Sequence, residues 1–197
     1  MSIELITKLR EMTGAGIADC KNALKEAAND LEKAVVWLRE KGIASAVKRA
    51  GKTAKQGLVY AYIHGGGILG VLVEVNCETD FVAKTDDFKN LVKEIAMQIA
   101  AVSPLYITRD QVPENIINAE KEIYKAQLKE ENKPEKAWDK IITGKLEKFY
   151  STVCLYDQPY MRDTTGKQTV KNLIDEAIGK IGENIVVKRF ARFKLGE

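Results

Sequence analysis

The chain has 197 residues, 45% of them hydrophobic and 30% charged, with a formal net charge of +3. Such a composition is globular, enough for one substantial domain plus a small module, and it lacks the broad basic surplus that marks nucleic-acid binders, so direct nucleic-acid binding is not expected. Cys20, Cys77, Cys154 and the single histidine, His64, have no paired metal-ligand spacing, which argues against a zinc site or a disulfide scaffold and predicts free thiols in a reducing compartment.

The chain opens with three short amphipathic helices. Ser2 is placed to cap the first, with Leu5, Ile6, Leu9 and Met12 on one face, and Thr13-Gly14-Ala15-Gly16 stops it. The second runs from Ile17 through Cys20, Ala23, Leu24 and Ala27. Asp30 caps the third, with Leu31, Ala34, Val35 and Leu38 inward and a stop near Gly42. From Ile43 to Gln56 the chain is Ala-, Gly- and Lys-rich and contains no acid, the composition of a basic interdomain tether. No signal pattern precedes the first helix and no apolar run reaches membrane-spanning length, which predicts a cytoplasmic protein without membrane contact.

Residues 58–64 and 68–76 read as a hairpin around Gly65-Gly66-Gly67, with Val59, Ala61 and Ile63 on one face of the first strand and Leu69, Val71, Val73 and Val75 alternating on the second. The glycines are turn chemistry, because no helix and no Lys-Ser/Thr pair follows to form a phosphate cradle. A long helix with Phe88, Leu91, Val92, Ile95, Ala96 and Ile99 on one stripe then runs to about Val102.

Between hairpin and helix lies Asn76-Cys77-Glu78-Thr79-Asp80-Phe81-Val82-Ala83-Lys84, which holds two helix starts: Thr79, and Thr85 with Asp86 and Asp87. Two starts so close predict a short kinked turn that points Phe81 and Asp80 away from the helix stripe. Phe81 also stands seven residues before Phe88 and fits that stripe as ordinary core, the commoner role of an aromatic.

Beyond Ser103-Pro104, residues 105–107 read as a short extended piece. Pro113 opens a charged helix, Lys133-Pro134 turns the chain, and Trp138 to Tyr150 return, making a helical hairpin whose narrow apolar stripe suits a projecting arm. Residues 156–165 form a loop, and Val170 to Ile181 form an amphipathic helix stopped by Gly182. Residues 185–195 close the chain as a strand with Ile185, Val187, Ala191 and Phe193 on one face. The fold class is therefore α+β, with a three-stranded antiparallel sheet, helices on one side, and a second face that a second copy of the chain could cover.

No catalytic constellation emerges. One histidine cannot serve a nucleophilic triad, the glycine motifs lack their contexts, and Asp86 with Asp87 suits helix-start electrostatics. A binding protein without metal or cofactor is expected rather than an enzyme. A ribosome- or RNA-associated adaptor would use the basic tether and Lys188, Arg189, Arg192 and Lys194.

Two long motifs carry a resemblance. Residues 9–24, Leu-Arg-Glu-Met-Thr-Gly-Ala-Gly-Ile-Ala-Asp-Cys-Lys-Asn-Ala-Leu, and residues 74–83, Glu-Val-Asn-Cys-Glu-Thr-Asp-Phe-Val-Ala, resemble the hallmarks of the elongation factor Ts family, as does Ile181-Gly182-Glu183-Asn184-Ile185. The resemblance implies a guanine-nucleotide exchange factor for the translation GTPase elongation factor Tu. It implies a ubiquitin-associated-like module at residues 1–50 with a basic linker to 56, a core at 57–103 and 152–197, and a coiled-coil arm at 104–151. It further implies that Thr79, Asp80, Phe81 and Val82 form a wedge entering the GTPase, with Phe81 in an apolar pocket and Asp80 as a polar lever, while Arg10, Ile17 and Ala18 dock elsewhere on it. One sheet module stands where longer relatives carry two, which implies a homodimer and a 2:2 complex.

Overall fold

The structure, a computed structural model, describes residues 2–197. Its α+β fold has eight α-helices and one antiparallel sheet: α1 (Ile3–Thr13), α2 (Ile17–Glu26), α3 (Leu31–Arg49), β1 (Gln56–His64), β2 (Leu69–Cys77), α4 (Asp80–Ala83), α5 (Asp86–Val102), α6 (Glu114–Glu130), α7 (Trp138–Val153), α8 (Val170–Ile181) and β3 (Val186–Lys194). The sheet order is β1-β2-β3, so β2 is central. Among the described residues, no helix is long and apolar enough to cross a membrane.

Two compact units are distinguished. The first holds residues up to Tyr60 with Leu72–Glu94 and Asn172–Phe190; the second holds Ala61–Val71, Ile95–Lys171 and Ala191–Glu197. In the first, α1–α3 enclose Leu9, Cys20, Ala23, Leu24 and Ala34, all fully buried. The capping residues act as their chemistry dictates. Ser2 Oγ accepts the Glu4 N–H, Asp30 accepts the Lys33 N–H, and Gly14 ends α1 at φ +65°, a conformation that costs glycine nothing.

The third helix departs from the sequence expectation. It does not close near Gly42 but continues to Arg49, so the first half of the expected tether is helical. Gly42 is a contact, not a stop. A Cβ built on Gly179 of α8 would lie 2.6 Å from the Gly42 Cα, so α3 and α8 touch backbone to backbone where neither carries a side chain. Arg39 pairs with Glu176 beside that crossing. The remaining core of this unit is the covered face of β2 (Val73, Val75, Cys77), Phe88 and Val92 of α5, and Ile174 and Ile178 of α8.

In the second unit, Ile95, Ile99, Leu155 and Val170 are buried, and α6 and α7 pack together as a helical hairpin around Leu128 and Ile142. At the hairpin tip, Trp138 Nε1 donates to the Lys133 carbonyl. At its base, Arg109 bridges Glu147 and Asp157 and stacks 4.8 Å over Tyr150, which holds the guanidinium above its ordinary pKa through those two carboxylates. Buried Gln98 donates to the Gln158 side chain and the Pro159 carbonyl and accepts the Met161 N–H, while Gln158 Nε2 donates to the Thr152 carbonyl.

The strand faces follow the alternation in β1 and β2 and break it in β3. Val59 and Ile63 point outward, while Val71, Val73 and Val75 are buried. Ile185 and Val187 are buried as expected, but Phe193 is 71% exposed. The side chain covered near it is that of Arg192, whose Nε donates to the Ala100 carbonyl at 3.3 Å and whose Nη1 pairs with Glu197. That carbonyl belongs to the last turn of α5, where carbonyls lack helical partners and favour a cation. The capping interaction outweighs the apolar alternation.

Candidate partner-binding turn

The stretch after β2 has both expected helix starts. Thr79 Oγ1 accepts the Val82 N–H and opens α4, four residues long; Thr85 Oγ1 then accepts the Phe88 N–H and opens α5. The kink between them decides the question the sequence left open. Phe88 is fully buried, whereas Phe81 is 77% exposed, so Phe81 does not belong to the stripe.

Around the ring, Lys84 Nζ lies 5.9 Å from its centroid and donates to Asp80 Oδ2 at 2.7 Å. That bond from Lys84 is the main reason the Asp80 carboxyl sits below its ordinary pKa, so an ionised carboxylate stands beside an exposed aromatic. Val82 and Thr79 are half-buried beneath them. Cys77, at the end of β2, is fully buried and its thiol donates to the Thr79 carbonyl at 3.1 Å; burial pushes its pKa up to about 11, which keeps it protonated and unreactive.

Behind the turn lie carboxylates that sequence reasoning passed over. Glu183 accepts the N–H groups of Glu78 and Thr79 and the Thr79 hydroxyl, and Glu78 accepts the Asn184 N–H and Arg49 Nη1. Both acids lie inside the motifs that carry the family resemblance, but nothing in either motif pairs Glu183 with residues more than a hundred positions earlier.

Arg10, Ile17 and Ala18 are all exposed at the end of α1 and the start of α2, with Ile17 at 60%. They share the first compact unit with the Thr79–Val82 turn but sit on different elements. Lys180 lies between the two regions. Its Nζ is 2.8 Å from where a Cβ on Gly14 would stand, and it pairs with Asp87 in the first turn of α5. The cations proposed for an RNA role are largely engaged: Arg189 with Glu74, Arg192 and Lys194 with Glu197. His64, the last residue of β1, is exposed and shares a hydrogen bond with the Tyr62 hydroxyl. No group of three or more metal-capable side chains occurs among the described residues.

An exposed ring, a neighbouring carboxylate and a polar backing thus meet on one turn of an α+β scaffold. The family model described as Elongation factor TS matches residues 5–197. Relatives bearing the name Elongation factor Ts include that of Caldanaerobacter subterraneus subsp. tengcongensis, 58% identical over all of this chain and 98% of its own length. That of Moorella thermoacetica is 58% identical over 98% of this chain and 94% of its own, and that of Thermotoga petrophila 57% identical over all of this chain and 97% of its own. The chain belongs to the elongation factor Ts family.

Proposed function

We propose that this protein is the guanine-nucleotide exchange factor of translation elongation: it binds elongation factor Tu carrying GDP and speeds GDP release so that GTP can rebind. Family membership supports the role and the partner. One observation carries the mechanism, the 77% exposure of Phe81 on a turn fixed from behind. A large apolar ring held in water gains free energy when a pocket receives it. Phe81 is the wedge that enters the GTPase, Asp80 is the polar lever beside it, and Thr79 and Val82 shape the turn. The intrusion displaces the groups that hold Mg²⁺ and the phosphates. A factor that prefers the empty GTPase weakens nucleotide binding by the same coupling factor, since linkage is reciprocal.

Arg10, Ile17 and Ala18 anchor the ubiquitin-associated-like module of residues 1–50 on a second part of the GTPase. The linker to 56, the core of 57–103 and 152–197 and the coiled-coil arm of 104–151 complete the organisation. The outward apolar side chains Ile63, Ile68, Phe193 and Leu195, each more than half exposed, support a homodimer through the sheet and thus a 2:2 complex. The test is release of labelled GDP from elongation factor Tu. Stimulation well above the spontaneous rate is expected, and a rate equal to the spontaneous one would reject the reading.

A further inference from the structure

We infer that Glu183 is a positioning residue for exchange: with Glu78 it forms a reciprocal carboxylate clasp that presets the Thr79–Phe81 turn in the free protein. The inference rests on the exchange reading and adds what holds the wedge in place. A four-residue helix has no stability of its own, and a ring 77% exposed gets little packing support from its own chain. The turn must be fixed by polar contacts.

Glu183 supplies them. Its Oε2 accepts the N–H groups of Glu78 at 3.1 Å and Thr79 at 3.0 Å, and its Oε1 accepts the Thr79 hydroxyl at 2.6 Å. With that hydroxyl proton committed, the Thr79 lone pair faces the Val82 N–H at 3.3 Å and caps α4. Glu78 returns the contact, its Oε1 accepting the Asn184 N–H at 2.7 Å and Arg49 Nη1 at 3.0 Å, while Asn184 Nδ2 donates to the Lys52 carbonyl at 2.8 Å. The last residue of α3 and the segment after α8 thus close on the base of the turn. A carboxylate suits the task because it only accepts, and all three groups facing Glu183 are donors.

A wedge already in its working geometry does not lose binding free energy to ordering when it docks. Contacts made only in the nucleotide-displaced state raise the maximal rate and not the affinity, which the exposed Arg10, Ile17 and Ala18 contacts supply under the same reading. Glu183→Ala is therefore expected to lower the saturating rate of GDP release about tenfold while shifting the half-saturating factor concentration by less than about threefold. Glu183→Gln keeps one acceptor for the two N–H groups and is expected to regain most of the loss. A wild-type plateau in Glu183→Ala, or a raised half-saturating concentration with the plateau intact, overturns the inference. If Glu183→Ala does not fold, Thr79→Val removes the hydroxyl link to Glu183 together with the α4 cap while leaving the two N–H bonds, and the same split is expected; a wild-type plateau there overturns it. If the wild-type chain does not stimulate release, the exchange reading fails and the clasp is judged on the free protein. Faster hydrogen exchange at the Glu78 and Thr79 amides in whichever variant folds supports the clasp, and unchanged exchange overturns it.

Discussion

One ring and one carboxylate show how local chemistry separates function from folding. Because Phe81 is 77% exposed, Phe81→Ala removes little buried surface, and its effect on stability is expected to stay within about 0.5 kcal/mol while exchange activity is largely lost. Thermal melts alongside GDP-release assays check both halves; a large drop in melting temperature would return Phe81 to the core. Asp163 is the contrasting case, a residue whose work is internal to its loop. Its carboxylate accepts N–H groups from Thr165, Lys167 and Gln168 and the Thr165 hydroxyl, and the backbone bond from Gln168 leads in lowering its pKa from 3.8 to about 2. A depressed carboxyl pKa stabilises the folded state fully above 3.8, and that contribution is lost as pH falls through about 2. Stability measured down through this window should fall less steeply in Asp163→Asn than in wild type. Equal slopes would contradict the assignment.

At the scale of elements, the crossing of α3 and α8 is a demanding contact. A Cβ on Gly179 would stand 2.6 Å from the Gly42 Cα, so Gly179→Ala must push two helix backbones apart. A loss of about 1–3 kcal/mol, with the helix content unchanged by circular dichroism, is expected in chemical denaturation. The same pair marks the limit of what the sequence makes legible. Helix stripes, caps at Ser2, Asp30, Thr79 and Thr85, and the Gly-rich hairpin tip are local and could be read directly, because each rests on residues within a few positions of one another. Gly42 reads as a helix stop because its true role depends on Gly179, and Glu183, though inside a motif, shows no role locally because its donors lie 104 and 105 residues away. Alternation puts Phe193 on one face with Ile185, Val187 and Ala191, and it carries no information about the α5 carbonyl that draws Arg192 inward. For Phe81, spacing alone fitted both an inward and an outward ring, and only the kink after Ala83 separates them.

For the whole molecule, the outer sheet side chains set the expected assembly state. Ile63, Ile68, Phe193 and Leu195 are 65%, 55%, 71% and 73% exposed, and the backbone N–H of Leu195 donates to the Ile68 carbonyl, which holds two of them together. Sedimentation equilibrium should give twice the chain mass for the wild type. Ile63→Glu with Phe193→Glu should give the single-chain mass with the fold retained, whereas an unaltered dimer would move the interface elsewhere. The Gly42–Gly179 contact has a wider consequence. With no side chain between the two helices, the opening three-helix segment is seated against α8 like one jaw of a caliper, and the phenylalanine turn, tied to the segment just after α8, is the other. On the exchange reading, the spacing of these two docking points is set by the Gly42–Gly179 crossing.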